Sequence, residues 1–328
     1  MTARRALVTG AGGFIGHHLV NRLKDDGYFV RGVDIKLPQF QDTRADEFLQ
    51  LDLRVWENNL TAADGMDEVW ALAADMGGMG FISAHHAEIL HNNALINLHT
   101  LEAARQKGVG KLLYTSSACI YPEYLQEGTD VAPLKEADAY PAQPQDAYGW
   151  EKLVTERLCM HYRQDYGMDT RIVRFHNIFG PLGTWDGGRE KAPAALCRKI
   201  AVAKRAANSE IEIWGDGEQT RSFCYIDDCI TGLVLLMQSA WQEPINLGQD
   251  RMISINELAD IIGGIAGLEV AKKHVVGPEG VRGRNSDNTL LREVLNWEPK
   301  ISLEEGLGRT YEWIEQQVLS TEKVMSYT

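Results

Sequence analysis

Ala6-Leu7-Val8-Thr9-Gly10-Ala11-Gly12-Gly13-Phe14-Ile15-Gly16 is the stretch from which the rest of the chain is read. Four apolar or β-branched residues make a short strand that runs straight into glycines. Gly10, Gly13 and Gly16 fall at G-x-x-G-x-x-G spacing, which allows a tight turn and brings backbone N–H groups close to a pyrophosphate. Ile15, Leu19, Val20 and Leu23 then recur at helical spacing until Gly27. The helix aims its N-terminus at the phosphate charge. A glycine string alone is weak, but a strand before it and an amphipathic helix behind it are the context it requires. Gly10, Gly13, Phe14, Ile15 and Gly16 are therefore expected to cradle a dinucleotide.

Outward from this stretch, strands and helical patterns alternate. Residues 29–34, 47–51, 69–73 and 111–116 read as further strands, residues 87–104 and 146–166 as helices, and residues 171–174 as another strand. This alternation predicts an α/β, Rossmann-type doubly wound parallel sheet. Asp34 closes the second strand where a carboxylate meets the adenosine ribose, which favours NAD; nearby Lys36 leaves NADP open. Asp52 follows the third strand and either flanks the adenine or serves a turn. Past residue 176 the texture changes. Residues 179–193, rich in Gly, Pro and charge, read as a long loop of the kind that carries function. Residues 211–214 read as a strand, and Ser254-x-x-Glu257 and Ser302-x-x-Glu305 as capping boxes. The expected division is a dinucleotide-binding domain over 1–176 and a smaller mixed lobe mainly over 177–328, with some segments returning to the first domain.

The formal net charge of -13 would repel a polyanion, so nucleic acid is not an expected partner. No run of about 18 apolar residues appears, so no membrane span is expected. The start, Met1-Thr2-Ala3-Arg4-Arg5, leads into glycines rather than a signal-like apolar core, which places the protein in the cytoplasm. Five cysteines, Cys119, Cys159, Cys197, Cys224 and Cys229, show no C-x-x-C pair, so neither a metal site nor a disulfide framework is indicated. Against the acidic background, Arg189, Lys191, Arg198, Lys199, Arg221, Arg282 and Arg284 collect positive charge suited to a small polyanionic ligand.

Tyr148-Gly149-Trp150-Glu151-Lys152 sets a tyrosine and a lysine one helical turn apart on one face. A lysine ammonium there would stabilise a phenolate and lower the tyrosine pKa. The tyrosine would then accept a hydroxyl proton as hydride leaves the same carbon. Thr115-Ser116-Ser117 ends the fifth strand, and Ser117 is the expected hydrogen-bond partner of the reacting oxygen. These features, with Trp214-Gly215-Asp216-Gly217-Glu218-Gln219-Thr220-Arg221 and Leu295-Asn296-Trp297-Glu298-Pro299, resemble the extended short-chain dehydrogenase/reductase family. The resemblance covers nearly the whole chain. It implies bound NAD, a nucleotide-sugar substrate, and homodimers paired through the two long helices.

The residues after Ser117 discriminate among the family's reactions. The 4,6-dehydratases carry an Asp-Glu pair there; this chain has Ala118-Cys119. The strings Ala73–Phe81, Ser117–Glu123, Arg174–Asn177, Gly187–Pro193 and Gly280–Asp287 are similar to the GDP-mannose 3,5-epimerase branch. That resemblance implies a GDP-sugar substrate. It implies Cys119 and Lys191 as the acid and base that work opposite faces of a transient keto sugar. It also implies Gly77, Gly78, Ser117, Asn177, Glu190, Lys191, Lys199, Gln219, Arg221 and Arg284 as substrate contacts. Another 4-epimerase or reductase on the same scaffold stays open. So does a catalytically silent NAD-binding regulator, against which Tyr148 and Lys152 argue.

Overall fold

The computed structural model describes residues 3–325; Met1 and Thr2 of the basic start lie outside them. Seven strands form one sheet in which every pairing is parallel. They are β1 (Arg5–Thr9), β2 (Phe29–Asp34), β3 (Glu47–Gln50), β4 (Glu68–Ala71), β5 (Lys111–Ser117), β6 (Asp169–Phe175) and β11 (Ile245–Leu247). Their order is β11-β6-β5-β4-β1-β2-β3. The order reverses direction at β1, which lies between β2 and β4. In such sheets ligands bind beyond the carboxyl ends of the strands at that reversal.

Side-chain alternation splits the core into two layers, one on each face of the sheet. Ala6, Val8, Leu113 and Val173 point into one layer, and Leu7, Leu112, Tyr114 and Ile172 into the other. The second layer is closed by α2 (Trp56–Ala63), α4 (His86–Gln106) and α5 (Ala147–Tyr166), with the one-turn α3 (Met79–Ile82) between α2 and α4 in the chain. The first is closed by α1 (Phe14–Asp25), α6 (Ala192–Arg205), α7 (Ile226–Gln238), α8 (Ile255–Ala266) and α10 (Leu303–Met325).

Beyond β6 the chain builds three small sheets. β7 (Ile178–Phe179) pairs with β10 (Cys224–Tyr225), and β8 (Glu210–Trp214) with β13 (Ala271–Val275). β9 (Thr220–Ser222) lies between β12 (Met252–Ser254) and β14 (Gly283–Arg284). The chain returns to the large sheet at β11, and α9 (Thr289–Leu295) follows β14. Both capping signals open helices: Ser254 and Glu257 form a reciprocal box at α8, and the Glu305 N–H donates to Ser302 ahead of α10. The expected loop over 179–193 is shorter than its composition implied. Phe179 is already in β7, and Ala192 and Pro193 form the first turn of α6, where proline's missing N–H costs nothing.

Candidate active site

A cavity of about 870 Å³ runs from the glycine turn, past the carboxyl ends of β4 and β5, to the small sheets. At its first end, Gly10 has φ +71°, and a Cβ on Gly16 would collide with the Gly10 carbonyl. α1 starts behind Gly13 with no side-chain cap and no acidic residue in its first turn. Its N–H groups are therefore free for an external acceptor. The Asp34 carboxylate accepts from the Gly12 N–H at 3.0 Å and the Lys36 N–H at 3.2 Å. Burial raises its pKa while those bonds oppose the rise. Asp52 also lines the cavity and is paired with Arg54 at 2.7 Å. An uncapped helix start beside a strand-end carboxylate fits the pyrophosphate and ribose of NAD.

Midway lies the Tyr148–Lys152 pair. Asp146 caps α5 by accepting from the Gly149 N–H at 2.8 Å. Gly149 lets the helix press onto the turn that follows β5, because a Cβ there would strike the Cys119 carbonyl. The Ser117 hydroxyl faces the Tyr148 phenol and also accepts from the Cys119 N–H at 3.2 Å. Ser116 points elsewhere, into a buried bond with Glu156. Lys152 is 2% exposed and donates to the Thr115 carbonyl at 2.9 Å, with its amine 5.6 Å from the Tyr148 ring centroid. The expected depression of the Tyr148 pKa is not found in the protein alone. Burial, helped by Cys119, Glu151 and Asp146, pushes it well up. The same burial pushes Lys152 down, which weakens the charge that was to stabilise the phenolate.

At the far end, Cys119, Lys191, Asn177, Lys199, Gln219, Arg221 and Arg284 reach the same cavity from distant parts of the chain. Cys119 alone of the five cysteines keeps access to solvent; the others are buried. Lys191 has exposed surface, yet protein surrounds its amine and burial lowers its pKa. It is one of the residues that line the cavity. Cys119 and Arg284 both act on its charge.

The cluster of basic residues divides in two. Arg189 pairs with Asp75, Arg198 with Glu190 and Asp186, and Arg282 with Asp216 and Glu279. Among the described residues, Lys191, Arg221 and Arg284 have no carboxylate in ion-pair contact. Arg221 donates only to the carbonyls of Thr220, Glu279 and Val281. Burial without a counter-charge lowers its pKa to about 9. Gln219 keeps a buried, unpartnered carbonyl oxygen. Lys199 donates to the Glu212 carbonyl at 2.6 Å, and the Asn177 amide donates to the Ser222 carbonyl at 2.9 Å. Trp214, 44% exposed, lines the cavity rather than the core.

Gly77 and Gly78 join two loops. The Gly78 N–H donates to the Arg189 carbonyl at 3.0 Å, and a Cβ at Gly78 would strike the Glu190 carbonyl. Glu190 serves its own loop, accepting from the Gly188 N–H at 2.7 Å and from Arg198 at 2.8 Å. Arg189 completes the seam by lying 3.8 Å over the Phe81 ring. Sequence reading missed this latch of Asp75, Phe81 and Arg189, and it missed Gln126. The buried Gln126 amide holds Arg284 at 2.6 Å, and the Arg284 guanidinium in turn donates to the Cys119 sulfur at 3.3 Å. Gln126 lies three residues beyond the Ser117–Glu123 string, and nothing in the spacing marks it.

Residues 6–248 match the model of the NAD dependent epimerase/dehydratase family. GDP-mannose 3,5-epimerase 1 from Oryza sativa subsp. japonica is 52% identical over 96% of this chain and 82% of its own length. GDP-mannose 3,5-epimerase from Arabidopsis thaliana is 52% identical over 95% of this chain and 82% of its own. Among solved structures, UDP-glucose 4-epimerase with UDP-glucose from Thermotoga maritima superposes with a TM-score of 0.86 at 28% identity, covering 96% of this chain and 99% of that one. The chain belongs to the NAD dependent epimerase/dehydratase family.

Proposed function

We propose that this chain is a GDP-mannose 3,5-epimerase, acting on GDP-D-mannose to give GDP-L-galactose, GDP-L-gulose or both. Relatives of that name share half its residues over nearly its whole length. The observation that carries the reading is that a solvent-accessible thiol, Cys119, and a pKa-depressed amine, Lys191, open into one cavity with Tyr148. A one-centre 4-epimerase has no use for that second acid/base pair.

Bound NAD supplies a reversible hydride acceptor for C4 of the sugar. Tyr148 must be in its phenolate form to take the C4 hydroxyl proton, with Ser117 holding the oxygen and Lys152 fixed behind it through Thr115. The C4 ketone acidifies the hydrogens at C3 and C5. Each inversion needs one base to remove a proton from one face of the ring and one acid to return a proton from the other. Cys119 and Lys191 fill these two roles. Burial weakens the hold of Lys191 on its proton, so the amine can serve in either role.

Arg221, a cation with no carboxylate partner, suits the substrate diphosphate, and Gln219, with its free carbonyl oxygen, and Lys199 line the same cavity. The Gly77–Gly78 and 188–191 loops cover the sugar, with Asn177 at its edge. Residues 1–176 are the cofactor-binding part and 177–328 mainly the nucleotide-sugar lobe. The enzyme pairs as a homodimer through α4 and α5, whose Leu90, Leu98, Trp150 and Val154 are exposed. It works in the cytoplasm, where its five free cysteines suit reducing conditions.

The test is incubation of the NAD-loaded protein with GDP-mannose in D2O. Deuterium should enter at C3 and C5. A purified protein that retains NAD and exchanges neither position would overturn the assignment.

A further inference from the structure

We propose that Asp75 and Arg189 are positioning residues whose pair holds the Lys191 segment in place, so that it sets the rate of proton exchange at C3 and C5 rather than the affinity for substrate. The inference rests on the reading of Lys191 as one of the two acid/base groups.

The backbone around Lys191 is anchored unevenly. Its carbonyl accepts the Ala195 N–H at 2.9 Å, which ties it to the first turn of α6. On the other side the chain arrives through Gly187 and Gly188, at φ +90° and +84°, and a Cβ on either would meet nothing within 4 Å. Two successive left-handed glycines without packing around them leave the approach to Lys191 with little stiffness of its own. Glu190 bonds within its own part of the chain, to Gly188 and Arg198. Arg189 reaches across to the loop that follows β4. Its carbonyl accepts from the Gly78 N–H at 3.0 Å, and its guanidinium lies 3.8 Å from the Phe81 ring centroid in α3 and 3.2 Å from Oδ1 of Asp75.

Asp75 is itself held by α4. Its N–H donates to the Asn93 side-chain oxygen at 2.6 Å, and its carbonyl accepts from the same amide at 3.1 Å. Asn92 donates to Oδ2 of Asp75 at 3.0 Å, while the Asn92 oxygen accepts from Arg54 at 3.3 Å. Both asparagines are buried. One carboxylate oxygen is thus occupied by α4 and the other faces Arg189. The Asn97 amide of α4 donates to Glu151 of α5 at 2.6 Å, one residue from Lys152 and three from Tyr148. A continuous set of contacts therefore runs from the Tyr148 helix through α4 and Asp75 to the Lys191 segment. The Arg189 side chain is 51% exposed, and an ion pair so open to water adds little to fold stability. Its consequence lies in where it places the two residues that follow.

The test uses the NAD-loaded enzyme with Asp75→Asn, Arg189→Gln, the two combined, and Arg189→Lys. Deuterium entry at C3 and C5 of saturating GDP-mannose is measured beside KM, with amide hydrogen exchange of the 184–195 peptide followed by mass spectrometry. Sugar exchange should fall about tenfold in D75N and R189Q, with KM changed less than about twofold. The double variant should lose no more than either single one, since each breaks the same contact. R189K, which keeps the charge but loses the planar fork, should fall between R189Q and wild type. Amides of the 184–195 peptide should exchange faster in D75N, R189Q and the double variant. If D75N fails to retain NAD, the R189Q and R189K pair decides. Sugar exchange at the wild-type rate in NAD-retaining variants would overturn the proposal. So would a rise in KM alone, or losses that multiply in the double variant. The underlying reading fails separately: K191A that still exchanges C3 and C5 rejects Lys191 as acid/base, whatever the 184–195 peptide shows.

Discussion

The two ends of the cavity are made by different means. The cofactor end comes largely from one continuous stretch and the strand beside it, and its polar groups are mainly backbone N–H groups with the carboxylates of Asp34 and of the Arg54-paired Asp52. The far end is assembled from residues 119, 177, 191, 219, 221 and 284, and it concentrates side-chain charge without counter-charge. The first end binds by shape and by a helix N-terminus. The second gathers cationic side chains around a thiol and an amine, and burial there lowers the Lys191 pKa. A fold that serves many sugars can keep the first end constant and vary the second.

The largest effect that separates the two ends should come from Cys119→Ser and Lys191→Ala. Deuterium exchange at C3 and C5 should drop by at least about a hundredfold in each, while bound NAD, quantified after denaturation, stays at the wild-type level. Loss of NAD in either variant would mean that the ends are not separable. Tyr148→Phe should reduce turnover by about a hundredfold as well. Exchange at C3 and C5 should vanish with it, because no ketone forms to acidify them.

Gly16→Ala probes the opposite end. Its methyl group meets the Gly10 carbonyl, so NAD affinity measured by titration should fall at least about tenfold, or about 1.4 kcal/mol. The charged end should by contrast still bind GDP. The smallest effect should come from Arg221→Lys. Lysine keeps the positive charge but loses the planar fork that grips two phosphate oxygens, so GDP affinity should weaken by about threefold while NAD affinity stays unchanged.

Legibility in the sequence follows the same division. The parallel sheet, the glycine turn, Asp34 and the Tyr148–Lys152 helix are local patterns in which spacing fixes which face a residue takes. Alternation along β5 sends Ser116 and Ser117 to opposite faces, and the structure turns Ser117 toward Tyr148 and Ser116 toward Glu156. The far end obeys no such rule. Lys191 and Arg284 reach Cys119 through a loop and a two-residue strand, and residue spacing placed neither there; only the long strings shared with a family did. Spacing likewise could not separate the ion-paired Arg189, Arg198 and Arg282 from the unpaired Arg221 and Arg284, since the acidic partners are distant in sequence. Gln126 carries no charge or motif and became visible only through its three hydrogen bonds.

The proposed chemistry requires the thiol of Cys119 and the amine of Lys191 to grip one sugar ring from opposing sides. A crystal structure of the NAD-loaded Tyr148→Phe variant with GDP-mannose would show whether they do. The sulfur and the amine should lie within about 3.5 Å of C3 or C5 on opposite faces of the ring. Both groups on one face, or the Lys191 amine directed into solvent with the 188–191 loop closed, would contradict it.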